Sequence, residues 1–290
     1  MVYDQIAGYI KENKCYLRQD ALIVFVCGRD VKAVGSKRKL FLEYARKHIQ
    51  GFHFLLAEDL FAVGRREADL LTIEKGLTNY SDCIVIILES ESAFTELGAF
   101  AVHDDLCGMI LPINDRRFSK SQSFINLGPL EKIDSIKKGL GPTIHADMAS
   151  FAHCFSEVQG RLNRIKKKRR DRLGLEEYSA LVDKDKIRLL LVYDLINLFA
   201  PVSRKEILTF FKRLYGAQRF DDIYFDIQLL EALGFVSEVD NYLFSKEPDL
   251  RFVDFNNNKY FQLKSDVIIH YRKKSPERLK MLGKVAANGF

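Results

Sequence analysis

The chain has 290 residues, of which 47% are apolar and 29% are charged, a composition typical of a globular protein with room for two domains. Its apolar runs are far shorter than the ~20 residues that span a bilayer, and its first residues do not resemble a secretory signal. Five scattered cysteines without a CxxC pair indicate reduced, buried thiols, and the histidines show no metal-binding spacing. We therefore expect a cytoplasmic protein with no membrane contact, metal or bound cofactor.

The net charge of +6 is concentrated in one segment. Residues 161–172 contain eight Lys or Arg and one Asp, so the rest of the chain is about neutral. Such a run is either a solvated helix face or a contact surface for phosphates. The candidate nucleic-acid contacts in it are Lys166, Lys167, Lys168, Arg169 and Arg170.

Strand and helix patterns alternate through the first half of the chain. Apolar runs predict strands, and amphipathic segments, the first of them capped by Ser36, predict helices. The predicted strands are 21–27, 52–56, 83–88 and 108–113, and the predicted helices are about 36–49, 67–80 and 95–105. Strict alternation predicts a parallel sheet with helices on both faces and ligands at the carboxyl ends of its strands.

The pattern changes after residue 143. A long helix over about 146–172 is expected as a connector, followed by helices at 184–199, from Ser203, and at 222–233, then a hairpin within 235–244. Three helices and a hairpin predict a winged helix. Residues after 275 are expected to be loose. The expected domains are 1–145 (catalytic), 146–178 (basic helical connector) and 179–290 (winged-helix, nucleic-acid-binding).

The loop after the strongest strand carries the candidate chemistry. Glu96 is expected in the first turn of the next helix, where the helix dipole favours a carboxylate. A carboxylate there suits cleavage of a ribose–base bond, which builds positive charge at the anomeric carbon. Glu89 or Glu91 could position or deprotonate water, and Ser90 and Thr95 could contact substrate. Alternatively, Glu96 only caps a helix and the serines make turns.

Weaker candidates flank this loop. Gly28 and Arg29 follow the first strand and either hold a phosphate or ribose or form a simple tight turn. Asp59 ends the second strand and could reach the same pocket. Glu74 either binds a sugar hydroxyl or faces solvent. In the C-terminal part, Arg204 and Lys205 are either nucleic-acid contacts or solubilising charges.

The segment Thr95-Glu96-Leu97-Gly98-Ala99 resembles the catalytic segment of nucleoside 2-deoxyribosyltransferase-like proteins, whose nucleophile is the Glu of an E-x-G-x-A pattern. More narrowly, the chain resembles the effectors of retrons, which are bacterial anti-phage units made of a reverse transcriptase, its RNA–DNA product (msDNA) and a toxic partner. The pieces that carry this resemblance are Phe25-Val26-Cys27-Gly28-Arg29-Asp30, Glu58-Asp59-Leu60-Phe61, the run 83–100, and Ser123-Phe124-Ile125-Asn126-Leu127-Gly128-Pro129.

The resemblance implies an α/β, nucleoside deoxyribosyltransferase-like N-glycosidase toxin that hydrolyses NAD or a related nucleotide, followed by a mainly helical winged-helix domain. It gives Glu96 the nucleophile's position and Glu89 that of a nearby acid, and it implies the reverse transcriptase and msDNA as partners. The classical transferases carry an Asp where this chain has Ser90, which disfavours base exchange. A deoxyribosyltransferase and a non-catalytic, nucleotide-sensing DNA-binding regulator are the alternatives, and assembly into a higher-order oligomer is left open.

Overall fold

A computed structural model describes residues 2–12, 15–18, 22–56, 79–165, 172–173, 181, 184–216, 220–255 and 259–287. In chain order, the α-helices of this part are α1 (Val2–Glu12), α2 (Lys37–His48), α3 (Glu91–Ala101), α4 (Asp104–Cys107), α5 (Glu131–Asp134), α6 (Phe155–Leu162), α7 (Asp185–Phe199), α8 (Arg204–Tyr215), α9 (Asp221–Ala232), α10 (Lys259–Lys274) and α11 (Pro276–Ala287).

The strands are β1 (Cys15–Leu17), β2 (Leu22–Cys27), β3 (Phe52–Leu56), β4 (Cys83–Ile87), β5 (Ile110–Asp115), β6 (Ile144–Ala146), β7 (Arg172–Leu173), β8 (Val236–Val239), β9 (Tyr242–Ser245) and β10 (Val253–Asp254). A short π-helix, Asn126–Leu130, precedes α5, and 3-10 turns lie at Arg116–Phe118 and Phe151–Cys154. No helix in the described ranges is both long and apolar enough to cross a bilayer.

The chain divides into two compact units. We call residues 20–167 the sheet unit, and residues 1–19 together with 168–290 the helical unit. The expected first domain, 1–145, differs from this division at both ends. The N-terminal helix α1 packs against α8 and α10 and has a buried face that includes Ile6 and Ile10, so it belongs with the C-terminal elements.

The sheet unit contains the parallel α/β sheet that the alternating pattern predicted. Its five strands run in the order β3-β2-β4-β5-β6, and every neighbouring pair is parallel. β2, β4 and β5 are buried along their whole length. This burial fits the continuous apolar sequences of β2 and β4, whereas β5 ends in the buried polar residues Asn114 and Asp115. One face of the sheet packs on α2 and α6, where the centres of the Phe41 and Phe155 rings are 5.9 Å apart.

The helical unit contains the three helices and the hairpin expected for the C-terminal part. The predicted capping box at the start of α8 is present, since Ser203 and Glu206 bond each other's backbone N–H groups. Asp240 and Asn241 both have positive φ in the turn between β8 and β9. A buried ion pair joins α7 to α9, with Arg188 Nε donating to Asp226 Oδ2 at 2.7 Å.

Two expectations for the later part of the chain were wrong. The long helix over 146–172 is not formed, because β6 ends at Ala146, α6 covers only Phe155–Leu162, and Arg172 lies in a strand. The residues after 275 are not loose, because Pro276–Ala287 forms α11. A proline is well suited to the first helical position, where no intrahelical N–H bond is lost.

Candidate active site

The order in which successive strands are added to the sheet reverses between β2 and β4. The chain adds β3 on one side of β2 and then places β4 on the other side, with Val24 opposite Cys83 and Cys27 opposite Ile86. In doubly wound sheets, ligands bind at this switch point, outside the carboxyl ends of the two strands. The loops that leave β2 and β4 here contain Gly28 and Glu89.

The Glu89 carboxylate joins these two loops. Its Oε2 accepts the backbone N–H of Lys37 at 2.8 Å, and its Oε1 accepts those of Arg38 at 2.9 Å and Arg29 at 3.3 Å. Lys37 and Arg38 are the first residues of α2, so a negative side chain from another loop caps the positive end of that helix. Glu89 thus holds backbone amides at the position where a doubly wound fold often binds a ligand phosphate.

Arg38 and Ser36 fix the loop after β2 from its other side. The Arg38 Nε donates to the Arg29 carbonyl at 2.8 Å, and the Ser36 hydroxyl donates to the same oxygen at 3.2 Å. A Cβ atom added to Gly28 would approach the Arg38 Cβ to 3.1 Å and Glu89 Oε1 to 3.3 Å, so glycine is needed for this packing. The Arg29 side chain remains exposed beside the loop.

The helix after β4 begins earlier than expected. Ser90 is its N-cap and accepts the Ala93 N–H at 3.4 Å, so α3 starts at Glu91 and not at Thr95. Glu96 therefore lies in the second turn, where its backbone N–H can be bonded within the helix and the dipole effect is weaker. Glu96 is the sixth residue after Ser90, which places it about 9 Å along the helix axis at a rise of about 1.5 Å per residue.

Glu96 borders the buried face of α3. Ala93, Leu97 and Phe100 on this face are buried, whereas Glu96 is half-buried with its Oε2 atom shielded from solvent. Gly98 lies two positions further along the helix, and a Cβ atom built on it would meet no described atom within 4 Å. Among the described residues, the helix surface is therefore uncovered at Gly98, which lies on a different side of α3 from Glu96.

The two hydroxyl candidates of this loop are engaged in local hydrogen bonds. The Ser90 hydroxyl caps α3 and lies 3.0 Å from that of Ser92. The Thr95 hydroxyl donates to the Glu91 carbonyl at 3.0 Å, one helical turn earlier. Both side chains therefore shape the start of α3, and a substrate contact by either stays a prediction.

The remaining candidates fall into two groups. Asp59 and Glu74, and all five basic candidates of 166–170, lie outside the described residues. In the helical unit, Lys205 is exposed, whereas Arg204 is paired with Glu231 and Glu238. The Arg204 guanidinium also lies 5.7 Å from the Tyr224 ring centre, so this arginine is already engaged by its own unit.

Sequence patterns missed several polar residues near the carboxyl ends of the strands. Arg38 looks like one of three surface charges in Lys37-Arg38-Lys39, but it is buried against the β2 loop. Asp115 ends β5, and its hydrogen bonds from Arg117 lower the pKa of that carboxyl. No periodic signal marks these residues: Arg38 bonds to the Arg29 carbonyl in the loop after β2, and Asp115 bonds to Arg117 just beyond the end of its strand.

Comparison with known proteins identifies the family of this chain. Residues 34–238, which include Glu89, Glu96 and α7–α9, match the family model of the STM3845 retron effector protein. The chain belongs to this retron effector family. The resemblance inferred from the sequence is thereby confirmed at the level of the family.

Two relatives of this retron effector come from Escherichia coli. The "Retron Ec73 putative ribosyltransferase/DNA-binding protein" is 25% identical over 285 residues, covering 91% of this chain and 85% of the relative. The retron Ec86 protein of the same designation is 32% identical over 130 residues, covering 43% of this chain and 42% of the relative. These names describe the relatives, and the first match extends over both units.

Proposed function

We propose that this effector hydrolyses the N-glycosidic bond of a nucleotide, with NAD as the first candidate and Glu96 as the carboxylate at the anomeric carbon. The observation that carries the proposal is the position of Glu96, half-buried in the helix that follows the central strand of the sheet. The ribosyltransferase designation of the relatives supports it.

The proposed reaction needs one carboxylate and one water molecule. As the bond from ribose to nicotinamide breaks, its electron pair leaves with the pyridinium nitrogen, and positive charge develops at the anomeric carbon. The Glu96 carboxylate would stabilise this charge or bond to that carbon, and water would then add its hydroxyl to the ribose and release a proton. Nicotinamide departs neutral, so no general acid is required.

The residue at position 90 favours hydrolysis over base exchange. The classical nucleoside 2-deoxyribosyltransferases, which this chain resembles, carry an Asp at this position, whereas this chain has a serine whose hydroxyl caps α3. Glu89 is half-buried and bonded to three backbone amides. We therefore propose that Glu89 orders the loops of the site and does not act as its second acid.

A substrate comparison tests this proposal. Purified protein should release base from NAD faster than from inosine or deoxyadenosine, because the latter bases need protonation to leave. Liquid chromatography of the released bases gives the three rates under identical conditions. Faster hydrolysis of the neutral nucleosides would contradict the proposed substrate class.

We further propose that the reverse transcriptase and its msDNA restrain this activity in the cytoplasm. An enzyme that consumes a shared nucleotide must be controlled. A partner can impose this control only by binding the inactive state more tightly than the active state. Shifting the ratio of inactive to active protein from 1:99 to 99:1 requires a difference in binding free energy of about 5.5 kcal/mol. Growth and cellular NAD should fall when the chain is expressed alone and recover with the partners. Equal toxicity in both cases would contradict restraint.

Phosphate contacts are the proposed role of the helical unit, whose three helices and hairpin favour the winged-helix interpretation. On α8, Lys205 and Lys212 are both exposed and lie seven residues apart, on one face of the helix. The third helix, α9, carries Asp221 and Asp222 in its first turn, which would repel a DNA backbone. We therefore propose that α8 and the basic segment 166–170, rather than α9, meet the nucleic acid.

A further inference from the structure

A basic and partly apolar surface follows the carboxyl end of β5 in the sheet unit. It is formed by residues 116–130, which we call the basic loop and which include a 3-10 turn and the π-helix. The sequence of the loop contains two arginines, one lysine and no acidic residue. All three cations, Arg116, Arg117 and Lys120, are exposed. None of these residues has a part in the proposed cleavage.

Three large apolar side chains of the basic loop face solvent. Phe124 is 82% exposed, Leu127 is 56% exposed and Phe118 is 53% exposed. A single exposed apolar side chain is ordinary, but several on one short loop form a patch of the kind that marks a binding surface. The loop therefore matches a partner that carries flat apolar faces together with negative charge.

Internal hydrogen bonds hold the basic loop in this shape. The Asn126 amide donates to the Phe118 carbonyl at 2.7 Å and to the Ser121 carbonyl at 2.8 Å. These bonds join the 3-10 turn to the π-helix, so Phe118 and Phe124 belong to one folded segment. A surface that is already ordered loses less conformational entropy when it binds a partner.

The Arg117 side chain is held beside one of the two rings. Its Nε donates to Asp115 Oδ2 at 2.9 Å, and the carbon of its guanidinium lies 5.5 Å from the centre of the Phe118 ring. The side chain nonetheless stays 78% exposed. Asp115 offsets part of its charge, so Arg117 supports the ring more than it attracts an anion.

The surroundings of the basic loop remain positive overall. Glu131 and Asp134 line a cavity together with Lys120 and offset part of its charge. However, residues 115–138 contain six Lys or Arg against three Asp or Glu. The field around the exposed rings therefore favours a polyanion.

We propose that the basic loop binds a single-stranded nucleic acid. Proteins that bind single strands combine cations along the phosphates with aromatic side chains on which unpaired bases stack. Phe118 and Phe124 would stack on bases, while Arg116 and Lys120 would contact phosphates. A duplex keeps its bases stacked on each other, and an acidic protein surface offers the two rings no base.

This surface differs from the phosphate contacts proposed for α8, because it is in the sheet unit and depends on unpaired bases. The π-helix contacts α3, the helix that carries Glu96, so a bound strand would lie next to the candidate active site. Binding by the basic loop does not depend on the cleavage reaction.

The test is a titration of the full-length protein with a labelled oligothymidylate, followed by fluorescence anisotropy. The protein carries Glu96→Gln to prevent cleavage, and Lys205→Ala with Lys212→Ala to weaken the contacts proposed for α8. In this background, Phe124→Ala should weaken binding about tenfold, whereas Phe261→Ala, which removes an exposed ring from α10, should not change it. An abasic oligomer of the same length should also bind about tenfold more weakly.

The contribution of the phosphates is measured separately. Arg116→Gln with Lys120→Gln should reduce the slope of log affinity against log salt concentration by about 1.4, since each contact with a single strand contributes about 0.7. The matched control is Arg46→Gln with Lys47→Gln, an exposed pair in the last turn of α2, which should leave the slope unchanged.

Photo-cross-linking locates the bound strand. A strand that contains iododeoxyuridine should attach to Phe118 or Phe124, as mapped by mass spectrometry. Circular dichroism checks folding, and Phe118→Ala covers the case in which Phe124→Ala does not fold. The proposal is overturned if cross-links fall only outside the basic loop, if the abasic oligomer binds as tightly as oligothymidylate, or if a folded Phe124→Ala protein binds like the parent. It is also overturned if Phe124→Ala weakens only the association with the reverse transcriptase, which would make the loop a protein contact.

Discussion

Replacing Glu89 with alanine should destabilise the sheet unit by about 2–4 kcal/mol. The substitution removes the acceptor for three backbone N–H groups, those of Arg29, Lys37 and Arg38. Loss of a helix cap costs about 0.5–2 kcal/mol, and a hydrogen bond to a charged group contributes about 1.5–3 kcal/mol. The expected loss of stability is smaller than the sum of these contributions over three hydrogen bonds, because water can reach some of the freed amides after the substitution.

Thermal unfolding followed by circular dichroism measures this loss, which corresponds to about 5–15 °C for a unit of this size. Hydrogen exchange gives a local measurement, and amides at the start of α2 should exchange faster in Glu89→Ala. The matched control is Glu91→Ala, at the exposed first position of α3, which should cost less than about 1 kcal/mol. A loss below about 1 kcal/mol with unchanged exchange in α2 would refute the reasoning.

Three further predictions concern the helical unit. Arg188→Met should cost about 3–5 kcal/mol in urea unfolding because it leaves the buried Asp226 without this cation, and a loss under about 1 kcal/mol would contradict that role. Burial raises the pKa of Asp194 to about 8, so the folded state retains a proton and the free energy of unfolding should fall as pH rises from about 4 to about 8. Asp194→Asn should remove this fall, and profiles of unfolding free energy against pH that run parallel for Asp194→Asn and the parent would contradict the raised pKa of Asp194. Lys205→Ala with Lys212→Ala should weaken DNA binding and reduce its salt slope by about 1.8, and an unchanged slope would exclude both lysines as phosphate contacts.

Local signals predicted much of the fold. The continuous apolar runs at 83–87 and 22–27 are strands because both faces of the sheet are covered. Ser203 with Glu206, and the Asp240-Asn241 turn, form as expected because each depends only on residues a few positions apart.

Long-range partners could not be predicted from such signals. The Glu89 carboxylate bonds to amides 51 to 60 residues away, so no local pattern indicates that it caps α2. The start of α3 was misplaced because Ser90 and Thr95 are both acceptable N-caps. In the structure Ser90 caps the helix, and the Thr95 hydroxyl bonds within it to the Glu91 carbonyl. Likewise, α1 joins the helical unit through contacts such as Asp4 with Arg213, 209 residues apart.

The rate of nicotinamide release from NAD by Glu96→Gln, relative to the parent, tests the central claim most directly. Glu91→Gln serves as the control because Glu91 is an exposed carboxylate on the same helix. If Glu96 stabilises the charge at the anomeric carbon, its neutral isostere should lower the rate about a thousandfold or more, with the fold retained and the control near the parent rate. A well-folded Glu96→Gln protein that releases nicotinamide at the parent rate would contradict the account.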